Sequence, residues 1–153
     1  MTRINCYVSV KVLSNEHLLA EHREIKRVCN RYAKRKEKGV ENDVPNKFTL
    51  GEGHELFFSN KPKYTLSRYK DLHEECILRG FNVRDFSQNW EVYGDDCTLT
   101  YEQRVEDDIT ILDRIIDRVN ESSKDKYGYY ETKITREQYL INLNKYKDKL
   151  LAK

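Results

Sequence analysis

An all-α fold is predicted for this chain. The expectation is a compact single domain over residues 1–153, with three long helices, an additional C-terminal helix over residues 135–153, and an N-terminal arm packed on the helices. Three observations predict it. Two prolines and six glycines in 153 residues leave long stretches uninterrupted, which favours regular elements. Apolar residues recur at three- and four-residue spacing in four runs, the pattern of a helix with one buried face. Two capping boxes, Thr100 with Gln103 and Thr135 with Gln138, mark helix starts. Eleven tyrosines, five phenylalanines and one tryptophan supply anchors for a modest core.

Taken in order, residues 2–13 are short and rich in β-formers with imperfect alternation, and they read as an extended arm. Ser14 is a plausible N-cap for a first long helix reaching Lys38, with Leu18, His22, Ile25, Val28, Cys29 and Tyr32 on its apolar face. Gly39 to Asn46 is a break. Phe48 to Phe58 is glycine-rich and reads as a turn into a short ordered piece that plugs the core. Its Gly51-x-Gly53 is no phosphate loop, because the downstream Gly and Lys-Ser/Thr are absent. His54 reads as a packed, hydrogen-bonded histidine. A second helix is expected from about Thr65 to Arg79, with Leu66, Tyr69, Leu72, Cys76 and Ile77 inside and Gly80 as its stop. Trp90 to Asp96 reads as a loop. The third helix is expected over Tyr101 to Asn120, with Val105, Ile109, Leu112, Ile116 and Val119 buried and its acids outside. Ser122 to Tyr130 reads as a linker, and a last helix as Arg136 to Leu150.

No run approaches the eighteen apolar residues of a membrane span, and the start, MTRINC, lacks the long apolar run of a signal peptide. A cytoplasmic protein is expected, in the host cytoplasm if viral. Cys6, Cys29, Cys76 and Cys97 lie too far apart in sequence for a zinc knuckle or redox pair, so free thiols and no metal are expected. Charge is unevenly spread. Residues 1–40 carry ten Lys and Arg against four Asp and Glu, a net of +6; residues 91–121 carry three against ten, a net of −7; residues 122–153 carry eight against four, a net of +4. A basic face opposite an acidic one suits a polyanion, and ordinary surface variation accounts for it equally.

The first helix holds the strongest candidate chemistry. His17, Arg23, Glu24, Arg27 and Arg31 fall on a face adjacent to the apolar one, so Glu24 stands among three arginines. Thr2 is small enough to permit removal of the initiator methionine, which exposes a threonine amine. A terminal amine titrates near 7.7–8.0 and is partly neutral and nucleophilic at cellular pH. Such an amine needs a carboxylate to move protons, and arginines if the substrate carries phosphates. The terminus offers Thr2, Glu24, Arg3, Arg23 and Arg27, but spacing alone does not bring them together. Lys124, Lys126, Tyr127, Tyr129 and Tyr130 suit a nucleic-acid groove by stacking and charge, and a core cap equally.

Four blocks resemble the pyrimidine-dimer DNA glycosylase family, often called after its prototype, the endonuclease V of a T-even bacteriophage. They are Met1-Thr2-Arg3-Ile4-Asn5; His17-Leu18 with Ala20-Glu21, Arg23-Glu24 and Arg27-Val28; Phe48 with Leu50-Gly51, Gly53-His54 and Phe57-Phe58; and Glu75-Cys76 with Arg79-Gly80-Phe81-Asn82 and Asp85. The resemblance implies a mostly helical fold with its arm inserted between helices. It implies a glycosylase and abasic-site β-lyase acting on cyclobutane pyrimidine dimers in double-stranded DNA, with no metal or cofactor, as a monomer. The Thr2 amine would attack C1′ of the 5′ nucleotide, displace the base and leave an imine, and β-elimination would cut the strand. Glu24 matches the catalytic glutamate, Arg3, Arg23 and Arg27 match phosphate arginines, and His17 matches a histidine near the centre. Arg31, Lys126 and Tyr129 join the expected DNA face.

The chain departs from the prototype at Val40-Glu41-Asn42-Asp43, which is shorter and acidic where the prototype has a basic loop. Beyond Asp85 the similarity fades, and a whole helix is added. Three readings follow: the dimer glycosylase or a relative acting on another damaged or modified base; a non-catalytic DNA-binding descendant; and a small helical protein–protein module.

Overall fold

The computed structural model describes residues 4–95 and 97–153. Among these, an arm leads into α1 (Asn15–Glu24), α2 (Arg27–Glu37), α3 (Glu52–Ser59) and α4 (Pro62–Leu78). After a 3-10 segment, Ser87–Tyr93, come α5 (Val105–Glu121), the antiparallel hairpin β1 (Lys126–Tyr129) with β2 (Thr132–Thr135), and α6 (Arg136–Leu151). The fold is predominantly helical, and the hairpin is an addition to the all-α expectation. The Ser122 to Tyr130 linker is in fact half of it: Tyr127 pairs with Ile134 and Tyr129 with Thr132 across a turn at Tyr130, whose φ is 57°.

The arm shapes the rest, and it is not the extended segment expected: it turns at Cys6, whose φ is 51°, with the Val8 amide bonded to Asn5 O at 3.0 Å, and Val10–Val12 is a short 3-10 helix. Ile4, Cys6, Val8 and Leu13 are fully buried, although residues 4–14 belong to no sheet. Buried backbone without a ladder must be paired some other way, and here side chains from five helices supply the partners. The Ile4 amide donates to His54 Nε2 at 2.8 Å, the Asn5 amide to Glu21 Oε2 at 3.1 Å and the Tyr7 amide to Asp108 Oδ1 at 2.9 Å. The Ser9 and Ser14 amides donate to the hydroxyls of Tyr146 and Tyr139, each at 3.0 Å. On the acceptor side, Arg68 Nη1 donates to Val8 O at 2.6 Å and Arg79 Nη1 to Leu13 O at 2.9 Å, and the Tyr64 hydroxyl donates to Cys6 O.

Several expectations change. The first long helix is two helices. The Val28 and Cys29 amides bond three residues back, to Ile25 O at 3.2 Å and Lys26 O at 3.0 Å, so the ladder breaks without proline or glycine. The two halves answer to different partners: α1 packs on α4, while α2 packs on α3 and the Ser87–Tyr93 segment. The piece at 48–58 does contain a helix, α3, entered through Gly51 at φ 79°, a conformation that favours glycine. The loop at Trp90 is the 3-10 segment, and it buries Trp90 and Tyr93.

The α4 helix starts earlier than predicted, with Pro62 in its first turn. Its inner face carries Arg68 and Glu75, while Ile77 is 54% exposed. The third helix starts at Val105, with no side-chain cap from Thr100. Tyr101 is buried instead, and Gln103 bonds Asp108 at 2.9 Å. Its buried face is rotated to Ile111, Leu112, Ile115 and Val119. Asp107 and Asp108 point inward, so its acids are not all outside. The Thr135 cap is present, its side chain accepting from Gln138 N.

Candidate active site

The arm enters the protein held by two consecutive amides, each on a different helix. His54 lies on the buried face of α3 beside Phe57 and Phe58. Since Nε2 accepts the Ile4 hydrogen, the ring proton of the neutral imidazole sits on Nδ1, which donates to Thr49 O at 3.0 Å. Phe48 and Phe58 meet the ring edge-on, at 5.7 and 5.2 Å between centroids.

The second anchor is Glu21 on α1. Its Oε2 accepts the Asn5 amide and its Oε1 accepts Asn5 Nδ2 at 2.7 Å. Arg68 of α4 meets the same carboxylate with two parallel bonds, Nε to Oε2 at 2.8 Å and Nη2 to Oε1 at 2.9 Å. Both side chains are buried. A buried pair is favourable only when its remaining hydrogen-bonding groups are satisfied, and this one is braced by Asn5 and Val8. Burial works against the charge on Arg68, but the Glu21 carboxylate outweighs it and raises the guanidinium above its ordinary value.

Glu24 follows Glu21 by three residues and closes α1. Its side chain is 19% exposed, and Arg27 Nη1 lies 3.8 Å from its Oε1. Arg27 and Arg31 expose 48% and 43% of their side chains, and Arg31 also reaches Glu55 of α3 at 3.7 Å. Arg23 is exposed. A half-shielded carboxylate therefore lies one helical turn from the arm's anchor, with the half-exposed Arg27 guanidinium beside it. Thr2 and Arg3 lie outside the described residues.

The remaining candidates sit elsewhere. His17 Nδ1 is 2.7 Å from the Tyr139 hydroxyl, and its ring packs against Tyr127 and Tyr139. It precedes Glu24 by seven residues, roughly 10 Å of helix rise. Tyr129 donates its hydroxyl to Lys11 O at 2.7 Å and packs with Tyr130 and the Arg79 guanidinium. Lys126 is exposed on the same strand. That hairpin docks on the start of α1, where the Gly128 amide meets Glu16 Oε1 at 2.9 Å and Asn15 Nδ2 meets Tyr130 O at 2.9 Å. Asn15 is about 13 Å of helix rise from Glu24. Glu24 and Arg27 thus lie near the arm's anchor on α1, Arg31 pairs with Glu55 beside His54 on α3, and Lys126 and Tyr129 stand at the other end of α1.

Reading by composition passed over Glu21, Arg68 and Asp108. The available signal was a charged residue inside an apolar stripe: Glu21 is three residues after Leu18 and four before Ile25, and Arg68 is four before Leu72. Among the described residues, no group of three or more His, Cys, Asp and Glu is arranged to hold a metal ion, and no helix is long and apolar enough to cross a membrane. A family model described as pyrimidine dimer DNA glycosylase matches residues 1–89. The match takes in the arm and α1 to α4 and leaves out α5, the hairpin and α6.

Proposed function

The chain belongs to the pyrimidine dimer DNA glycosylase family, and from that premise we propose that it is a DNA glycosylase with abasic-site lyase activity, working through a Schiff base on the Thr2 amine. The amine nitrogen bonds C1′ of the damaged nucleotide, and the base leaves with the glycosidic electron pair. The sugar ring opens to an iminium, and loss of a C2′ proton then expels the 3′ phosphate and cuts the strand. Glu24 moves protons for these steps and offsets the positive charge of the iminium. Arg3, Arg23, Arg27 and Arg31 contact backbone phosphates. The substrate is duplex DNA carrying cyclobutane pyrimidine dimers, recognised by backbone distortion and an extruded base, and the protein acts as a monomer.

One observation carries this reading. The arm is bonded at Ile4 and Asn5 to two helices, and the second bond is to the residue one turn before Glu24. Two residues of chain span at most about 7 Å, a length that lets the Thr2 amine reach this corner. Borohydride should link the protein covalently to dimer-containing and abasic duplexes. Binding without any adduct would contradict the reading.

A second reading keeps the chemistry and changes the lesion. It is favoured by the extent of the match, which leaves the Lys126–Tyr129 strand outside, and by Tyr129 being packed against Arg79 and Tyr130. A panel of duplexes with single defined lesions separates the two.

A further inference from the structure

We infer that His54 is a positioning residue for the reaction: by accepting the Ile4 amide hydrogen at Nε2, it fixes where the Thr2 amine stands. The inference rests on the function proposed above. Ile4 is the last described residue before the nucleophile, and its amide bond to His54 is the last fixed point of the described arm. The Asn5 amide is held by Glu21 on the same helix as Glu24, and the Ile4 amide by His54 on α3. One bond would leave the chain free to pivot. Two bonds at adjacent amides, from two helices, fix direction as well as place.

The ring is itself immobilised. Nδ1 is spent on Thr49 O, and Phe48 and Phe58 flank it. His54 is buried, so it does not act by touching DNA. Its effect belongs in the rate of amine attack and not in duplex affinity, because misplacing a reacting group by about 1 Å can cost on the order of 100-fold in rate.

Two substitutions separate positioning from packing. A glutamine amide reaches roughly as far from the backbone as Nε2 and can accept from Ile4, but it gives up the bond to Thr49. An asparagine amide reaches roughly as far as Nδ1 and keeps Thr49, but it gives up Ile4. The measurement is the single-turnover rate of borohydride-trapped adduct formation on an abasic duplex, beside duplex Kd and Tm. His54→Gln should stay within about threefold of the parent, and His54→Asn should fall on the order of 100-fold with Kd unchanged. Equal rates for the two variants, or a faster His54→Asn, would overturn the inference.

Should both variants fold poorly, the donor is removed instead. A synthetic thioester of residues 2–5, with an ester in place of the Ile4 amide, can be ligated to the chain beginning at Cys6. The ester removes the donor and leaves His54 intact, so it should slow trapping as His54→Asn does. An unchanged rate overturns the inference. A parent protein that forms no adduct at all overturns the proposed function and this role together. A parent that traps normally beside an equally fast His54→Asn overturns only the role of His54.

Discussion

Asn5 meets Glu21 twice, through its amide at 3.1 Å and its side-chain nitrogen at 2.7 Å, and so ties the arm to the turn of α1 that precedes Glu24. Two carboxylates three residues apart thereby take different parts. Glu21 is buried and structural, while Glu24 is partly open beside Arg27. Glu24→Gln is expected to fold and to bind DNA like the parent, and to slow base release by about 10²–10⁴-fold, the usual scale of general acid–base help. Abasic-site cleavage should suffer less, since no base has to leave. Glu21→Gln should act first on stability, costing roughly 3–5 kcal/mol by leaving Arg68 buried beside a neutral partner. Thermal melts and single-turnover kinetics on both variants separate these roles, and parent-rate dimer processing by Glu24→Gln contradicts the first.

Arg27 opens α2 with its side chain half exposed. A phosphate contact releases a counterion, so each one adds close to one to the salt slope of duplex binding. Arg27→Gln is expected to weaken damaged and undamaged duplex alike and to flatten the slope by about 1. A salt titration with an unchanged slope places Arg27 off the DNA.

Much of this architecture was legible in the sequence, and the rest was hidden for physical reasons. Helical spacing located the four main helical stretches, and the Thr135 cap marked the start of α6. The break at Ile25 and Lys26 was not legible, because it comes from tertiary partners: α4 draws α1 one way, and α3 with the 3-10 segment draws α2 another. The hairpin was missed because its strands are four residues each and its turn uses Tyr130 at positive φ, where glycine or asparagine is the usual cue. Glu24 is legible as a candidate because it stands on a charged face. Glu21 and Arg68 were passed over because they lie in apolar stripes, where only long-range pairing across 47 residues explains a charge.

Gly128 seats the hairpin on α1. A Cβ there would come within 2.8 Å of Asn15 Nδ2 and 3.1 Å of Glu16 Oε1. Both atoms are side-chain ends that bond the hairpin backbone, so Gly128→Ala should displace those bonds and destabilise the protein by about 0.5–1.5 kcal/mol for each one lost. Adduct formation on an abasic duplex should hardly change, because the contact is at the far end of α1 from Glu24. A variant of parent stability that lost trapping would instead make the hairpin part of the active site.

His22 gives a pH dependence with a definite sign. Burial, with lesser contributions from His73 and Lys26, pushes its pKa down to about 4, and its Nε2 lies 3.0 Å from His73 Nδ1. Between about pH 6.5 and 4 the unfolded chain takes up a proton that the folded chain refuses, so stability falls as pH falls through that window. The full loss is on the order of 3 kcal/mol, at about 1.4 kcal/mol for each pKa unit. His22→Phe should flatten the fall. Denaturant melts at pH 7, 5.5 and 4 that run parallel for parent and variant would contradict the assignment.

The nucleophile is the centre of the account. The decisive measurement is peptide mapping of the borohydride-trapped adduct formed on an abasic duplex, with intact-mass determination of the same active protein. The expected result is protein that has lost Met1 and carries a sugar adduct on the nitrogen of Thr2. Fully active protein that retains Met1, or an adduct on a lysine side chain, would contradict it.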